Sequence, residues 1–537
     1  MISADYMIAG GDFERGGSAS KQLKELLKKL GADPKAIRRT MIAAYEAEMN
    51  TVIHAKQGVM RVALDAGQVD VIIEDVGPGI PDIPQAMREG FSTASVEARE
   101  LGFGAGMGLP NISRNADSFT LRSTPGEGTQ VHFGVFLAPL EAEAADPASV
   151  KVAQKRCKRC LACIRACPTQ AIRVYGGEPL VLDHLCIDCT SCMEACAAEA
   201  LSIKNTSELL RAAHESPIIM PGSLLGQFES GVSTEGIERA CGGFGYREVR
   251  YSDEWEQALR RAAETYASEP GAARPVISPV CPAVVSLVRL RFPSLLELLA
   301  PFLSPLESAR EELRAPHAVF VVLCPSQAGV LRRRTLLKQA EAVTPSTLCH
   351  AIRMQDENAA HQHSLSSHDK LWRASHGGHI TVCQATTNCG CPPSTLRVSG
   401  MTHVMRLLES LENRRSSEWD VLELYACDQG CFGSPLWSVD AHVSKARRDA
   451  SRTMQNASAV RRVKELKPRV GVRLDPDMKA AIAKLARIDA LTKALPGRDC
   501  GVCGAPTCAA LAEDVVLGRA ALEACIYREP TVAKETI

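Results

Sequence analysis

Residues 41–55, MIAAYEAEMNTVIHA, place apolar side chains three and four apart, the period of an amphipathic helix. Within it Glu46, Asn50 and His54 recur every fourth residue and so share one helix face. Residues 69–82, VDVIIEDVGPGIPD, read as a buried strand ending in a glycine and proline turn, with Asp75 at the strand end. GFGAGMGLPNI (102–112) reads as a glycine-rich loop opening a helix, and PGEGTQVHF (125–133) as a turn entering a final strand. Further on, VFVVLCPSQAG (319–329) predicts an apolar strand stopped by Cys–Pro. DPDMKAAIAKLARIDALTKAL (475–495) returns to the helical period. The small, acidic APLEAEAADPASV (138–150) reads as a linker, and the polar SLSSHDKLWRASHGGH (364–379) as a loop.

These breaks predict a multidomain α/β and α+β chain: an α/β unit over 1–137, the linker 138–150, a cysteine-dense unit over 151–205, a large α/β domain over 206–450, a connector 451–470 and a small helical unit over 471–537. A length of 537 residues exceeds one ordinary core. Lys+Arg and Asp+Glu both number 62, a balance that argues against a nucleic-acid partner. No apolar run reaches the ~18 residues of a membrane span. The N-terminus lacks the basic start and long apolar core of a secretory signal, so the expected location is the cytoplasm.

The 21 cysteines change the picture most. Clustered cysteines in a large chain without an export signal point to metal ligation rather than disulfides. CKRCLACIRACP supplies Cys157, Cys160, Cys163 and Cys167, and CIDCTSCMEAC supplies Cys186, Cys189, Cys192 and Cys196. Both runs follow C-x₂-C-x₂-C-x₃-C, the two-cluster ferredoxin spacing in which each fourth cysteine serves the other cluster. The expected sets are Cys157, Cys160, Cys163 and Cys196 for one [4Fe–4S] cluster, and Cys186, Cys189, Cys192 and Cys167 for the other. Zinc, the rival, favours paired C-x₂₋₄-C knuckles over triplets. At the C-terminal end, Cys500, Cys503, Cys508 and Cys525 follow C-x₂-C-x₄-C-x₁₆-C, a spacing that suits either zinc or iron–sulfur.

In the N-terminal unit, glycine-rich loops bring backbone N–H groups to phosphate, and a following helix start favours its charge. Taken singly, Asp75 is equally a turn former and His54 a satisfied histidine. Together, the four boxes in this order resemble the ATP-binding fold of the gyrase, chaperone, sensor-kinase and mismatch-repair superfamily, and within it the anti-sigma-factor serine kinases. The resemblance implies an ATPase α/β sandwich. It implies that Asp75 bonds the adenine amino group, with Gly77 and Gly79 shaping the pocket. Asn50 would bind Mg²⁺, and Glu46 would orient or deprotonate the attacking hydroxyl as a candidate base. Gly104, Gly106 and Gly108 would form the phosphate lid, and Gly128 and Thr129 the last box. No dimerisation helix bearing a phospho-accepting histidine is seen, so a serine kinase, ATPase or nucleotide switch is expected over a histidine kinase.

The large domain carries Cys281 and Cys324, each before a proline, and Cys427 and Cys431 in ACDQGCFGSPL. Singly, each is equally a buried thiol. The segment from about 217 to 445 resembles the catalytic domain of iron-only hydrogenases, which implies that these four hold a [4Fe–4S] cube and that Cys431 also faces a two-iron subsite. The departures are chemical. Val280 stands where that family carries a proton-relaying cysteine, and Gln327 where it carries a lysine. The two-iron subsite and efficient H₂ turnover are therefore not expected. The C-terminal unit resembles small iron–sulfur domains of electron-transfer and corrinoid proteins. Cys241, Cys349, Cys383, Cys389 and Cys391 remain unassigned, the last three as a C-x₅-C-x-C loop of redox thiols or metal ligands without an evident fourth ligand.

The expected cofactors are about four [4Fe–4S] clusters, ATP and Mg²⁺, in an anaerobe. The expected function is redox sensing that couples cluster state, or H₂, to the ATP-binding domain. A redox partner, a regulatory protein target and a homodimer are the expected associations. The alternative is ATP-gated low-potential electron transfer, or an active hydrogenase.

Overall fold

Alternation organises the first unit: β2 (Gln57–Leu64) and β3 (Gln68–Val76) bury every second side chain, the mark of a sheet covered on one face. The computed structural model describes residues 2–65, 67–94, 104, 106–137, 143–144, 146–204, 206–207, 216–227, 234–315, 317–332, 341–356, 393–412, 418–437, 457–469, 471, 474–475 and 477–528. The chain forms two units, one of residues 1–143, 470–499 and 507–537, the other of residues 144–469 and 500–506.

In the first unit, β1 (Ile2–Ala9), β2, β3, β4 (Ser118–Thr124) and β5 (Gly128–Phe136) make an antiparallel sheet in the order β1-β2-β3-β5-β4. Helices α1 (Ser18–Lys29), α2 (Pro34–His54) and α3 (Gly108–Asn115) accompany it. Leu23, Leu27, Ala43, Ala47, Met60, Val71, Ile73, Ile112 and Phe133 are fully buried between helices and sheet. The helix expected over 41–55 begins earlier, at Pro34, because Asp33 caps it: its carboxylate accepts from the N–H groups of Lys35 and Ala36, and Pro34 suits the first turn. Glu48, on α2, accepts from Gly17, Ala19 and Ser20 N–H at 2.9–3.0 Å and so caps α1, which has no cap of its own. The helix expected over 475–495 spans Met478–Ala494 and is capped by Asp477. No helix among the described residues is long and apolar enough to cross a membrane.

The second unit opens with two short antiparallel pairs. β6 (Val150–Val152) pairs with β9 (Leu201–Ile203), and β7 (Ile172–Tyr175) with β8 (Glu178–Val181). Two parallel sheets follow. One is β11 (Glu248–Tyr251), β10 (Pro217–Met220), β13 (Val319–Val321) and β14 (Glu341–Val343), in that order. The other is β12 (Val276–Ser278), β16 (Val421–Tyr425) and β15 (Thr395–Ser399). Helices such as Asp253–Ala267, Pro282–Arg291, Pro325–Arg332 and Met401–Glu412 lie between the strands in sequence, as parallel pairing requires. The loop 364–379 and Cys383, Cys389 and Cys391 lie outside the described residues.

Candidate functional sites

The nucleotide-type site grows from α2 and the ends of β3 and β5. Glu46 and Asn50 share a face of α2, and the start of α3 comes against it: a side chain at Gly108 would meet Asn50 Oδ1 at 3.2 Å and Glu46 Oε2 at 3.4 Å. Asn111, one turn into α3, donates from Nδ2 to Glu46 Oε1 at 2.8 Å. At the other end, Asp75 Oδ1 accepts from Thr129 N–H at 3.1 Å. Burial pushes the Asp75 carboxyl above its ordinary pKa, and the Thr129 hydrogen bond partly opposes this. Gly128 has φ 139°, and a Cβ there would lie 2.1 Å from the Asp75 carbonyl oxygen. Gly79 has φ 69°, and a Cβ there would lie 2.2 Å from the Thr124 carbonyl. Both are close backbone approaches open to glycine alone. Gly77 sits beside Ala55, the residue following α2, so the helix carrying Glu46 and Asn50 ends at the loop carrying Asp75. Gly104 and Gly106 also take left-handed backbone, at φ 81° and 73°. His54, at the end of α2, is held below its usual pKa by burial.

Two contributors carried no sequence signal. Ser123 gathers the last box: its hydroxyl accepts from Ile80 N–H, donates to the Gly128 carbonyl and lies 2.9 Å from Thr129 Oγ1. Asn111 sits inside the glycine-rich segment, yet its link to Glu46 depends on how α3 meets α2.

In the second unit the two cysteine runs repeat in backbone as well as sequence. Arg159 and Asp188, Leu161 and Thr190, and Gln170 and Glu199 occupy matching places, all at positive φ. Cys167 Sγ accepts from Ala171 N–H at 3.2 Å, and Cys196 Sγ from Ala200 N–H at 3.3 Å. Burial pushes the Cys163 and Cys192 thiols up, and neighbouring cysteines add to it: Cys157 and Cys196 for Cys163, and Cys189, Cys167 and Cys163 for Cys192. Burial pushes Cys189 up to about 12.

Cys281, Cys324, Cys427 and Cys431 share a placement in the fold. Each follows the C-terminal end of a parallel strand: Cys281 after β12, Cys324 after β13, Cys427 and Cys431 after β16. Cys431 feels the charge of Cys281, Cys324 and Cys427. Pro282 and Pro325 start helices directly after two of the cysteines, which aims N–H groups at sulfur. Cys281 sulfur accepts from the N–H groups of Ala426, Val284 and Ala283, and Cys324 sulfur from those of Gln327 and Ser326. Burial pushes all four thiols up, Cys324 to about 11, against which these donors work. Thiols raised by burial need a cationic partner to ionise, and iron supplies one. Four buried thiols, two of them with N–H donors, match in number and chemistry a four-thiolate [4Fe–4S] cube, the group these residues would hold. Gln327 does not reach outward: its Oε1 accepts from Leu323 N–H at 2.7 Å, just before Cys324. Val280 packs in the apolar cluster of Leu259, Val276 and Val421. Cys241 and Cys349 are buried together in one apolar core.

Of the C-terminal cysteines, Cys508 and Cys525 lie in the first unit and Cys500 and Cys503 in the second. Cys508 begins the helix Cys508–Val516, and its N–H donates to Asp499 at 2.7 Å. Beside Cys503, Gly504 accepts from Val174 N–H of β7 at 2.9 Å.

Three family models match the chain: a histidine kinase-like ATPase domain over residues 12–134, a 4Fe-4S dicluster domain over 149–197 and an Fe-S cluster family over 495–527. The serine/threonine-protein kinase RsbT of Bacillus subtilis is 36% identical over 118 residues, which are 21% of this chain and 83% of that protein. The anti-sigma F factor of Pasteuria penetrans is 38% identical over 94 residues, 16% of this chain, and the chain spans 59% of its length. Among solved structures, the [FeFe]-hydrogenase HydA1 of Chlamydomonas reinhardtii is similar at 13% identity and a TM-score of 0.34, over 48% of this chain and 89% of that one. A further [FeFe]-hydrogenase, in a structure of oxygen inactivation, gives 12% identity and a TM-score of 0.34 over 45% and 86%.

Proposed function

Because the chain belongs, through its N-terminal domain, to the histidine kinase-like ATPase family of the serine/threonine kinase RsbT, we propose that it is a redox-responsive signalling protein in which iron–sulfur clusters set the state of a nucleotide-binding domain. The observation that carries this is the joining, in one chain, of that ATPase domain to a 4Fe-4S dicluster domain. In this reading Asp75 takes the adenine amino group, Asn50 the Mg²⁺ ion and Glu46 the attacking hydroxyl. The Gly104–Gly108 loop and the start of α3 cover the phosphates. The eight ferredoxin cysteines hold two clusters in the crossed sets, and Cys500, Cys503, Cys508 and Cys525 hold another. Cys281, Cys324, Cys427 and Cys431 hold a hydrogenase-type cube.

Two side chains argue against H₂ turnover. Val280 is aliphatic and transfers no proton, and the Gln327 amide oxygen is engaged by Leu323 N–H. The output is directed at a regulatory protein, as the names of the relatives, a serine/threonine-protein kinase and an anti-sigma F factor, suggest for those proteins. Coupling requires that cluster state and nucleotide favour different conformations. The test is Mg²⁺-ATP binding and hydrolysis measured anaerobically with the clusters reduced and then oxidised. A several-fold change in either supports the proposal. Equal values in both states overturn it, and a fixed ATP count per electron delivered points instead to ATP-gated electron transfer.

A further inference from the structure

Thr190 is 1% exposed and lies between two cysteine constellations. Its hydroxyl donates to Glu194 Oε1 at 2.9 Å and lies 3.4 Å from Cys427 Sγ. Its neighbours Ile187 and Cys189 pack in the same apolar core as Cys281, Ala283 and Ala426. The second ferredoxin run and the four-cysteine site therefore share one packed interior, with Thr190 spanning it.

The backbone of Thr190 is unusual for a β-branched residue, at φ 74°. That conformation belongs to the repeat, since Leu161 at the matching place has φ 62°. What differs is the side chain. Leu161 is half-exposed and apolar, whereas Thr190 is buried, its hydroxyl donating to Glu194 and lying within reach of Cys427 sulfur. With a cluster bound, Cys427 is a thiolate and accepts only. Hydrogen bonds to cluster sulfurs are among the terms that set cluster potential, because they stabilise the more negative, reduced state.

We propose that Thr190 is a positioning residue that tunes the Cys427 cluster: its hydroxyl donates to Cys427 Sγ, raises the reduction potential of that cube, and is shared with Glu194. The proposal rests on the cluster reading given above. Its competitor for the proton is explicit. With Glu194 a carboxylate, the hydroxyl divides between Oε1 and Sγ. With a glutamine there, the side-chain amide can donate to Thr190 Oγ1 and release the hydroxyl to sulfur.

The experiment is an anaerobic potentiometric titration of the full chain followed by electron paramagnetic resonance. The relevant signal is the one missing from a Cys324→Ser variant. Thr190→Val keeps the shape and removes the hydroxyl. It is expected to lower the reduced-to-oxidised ratio at fixed potential by about tenfold, about 59 mV for a one-electron couple. Thr190→Ser is expected to stay near wild type. Glu194→Gln is expected to raise the ratio, and that gain should shrink in the Thr190→Val/Glu194→Gln double variant, as two groups acting through one hydrogen bond require. A Thr190→Val protein with full iron content and a wild-type potential overturns the proposal. Should Thr190→Val fail to hold the cube, an unchanged potential in Glu194→Gln overturns it as well. A wild-type chain without the Cys324-dependent signal removes the cluster reading itself, which separates the two failures.

Discussion

Replacing Asp75 with asparagine alters the nucleotide site at one atom. In the wild type, Oδ1 is taken by Thr129 N–H at 3.1 Å, which leaves Oδ2 for a ligand. Asparagine can keep the Thr129 bond with its oxygen, but then presents an NH₂ group where the adenine amino group is proposed to sit. A hydrogen bond to a charged acceptor contributes about 1.5–3 kcal/mol. Its loss corresponds to about 10- to 150-fold in Kd, and two facing donors add to it. Because the fold barely changes, the melting temperature without nucleotide should hold. Isothermal titration with Mg²⁺-ATP is the assay, with Mg²⁺-GTP as a control that carries an oxo group in place of adenine's 6-amino group. Burial lifts the wild-type Asp75 carboxyl above its ordinary value, while the ligand prefers the ionised form. Affinity should therefore fall as pH drops through that raised value, at a higher pH than an exposed aspartate would give. Wild-type ATP affinity in Asp75→Asn, or a pH profile identical in both proteins, refutes this placement of adenine.

Asn50→Ala should abolish Mg²⁺-dependent ATP binding, because the variant loses the oxygen proposed to hold the cation; normal binding would remove the nucleotide assignment. Cys324→Ser should lower anaerobic iron content by about four per chain while the ferredoxin signals persist, and infrared spectra of the matured wild type should lack CO and cyanide bands; strong bands with H₂ evolution would restore an active two-iron subsite. Glu423→Gln should destabilise the second unit by about 3–5 kcal/mol in urea unfolding, since the mostly buried Arg260 and Arg397 guanidiniums, both 2.6–2.7 Å from Glu423, would lose their anion. A loss under about 1 kcal/mol would contradict that. Burial opposes the Glu423 charge, but Arg260 and Arg397 hold its carboxyl below the ordinary range. Its stabilisation is therefore complete above the ordinary carboxylate pKa and drains away as pH falls through the lowered one.

What sequence revealed followed how local each signal is. The turn after Asp75, the glycines at 104, 106 and 108, and the triplet cysteine spacing are contiguous, so they could be read from neighbours alone. β1 gives no comparable signal, because ISADYMIA mixes polar and apolar residues at the sheet edge. Glu48 reads as an ordinary helix glutamate, yet it is buried and caps a different helix through contacts 28 to 31 residues away. Thr190 and Cys427 are 237 residues apart, a separation no periodicity spans. The placement of Cys281, Cys324, Cys427 and Cys431 likewise depends on three strand ends drawn from two sheets, which no local spacing links.

Those strand ends bear on how the protein is assembled. β13 belongs to one parallel sheet, and β12 and β16 to another, and among the described residues no strand is common to both. The proposed cube, held by Cys324 on one side and by Cys281, Cys427 and Cys431 on the other, would act as a rivet between two separately hydrogen-bonded layers. If these four cysteines hold a cube as proposed, it would be set only after both layers have formed, and maturation of the centre would follow chain folding. Oxidative loss of the cube would likewise do more than remove an electron carrier. It would unfasten the layers, giving oxygen damage a mechanical consequence inside the second unit.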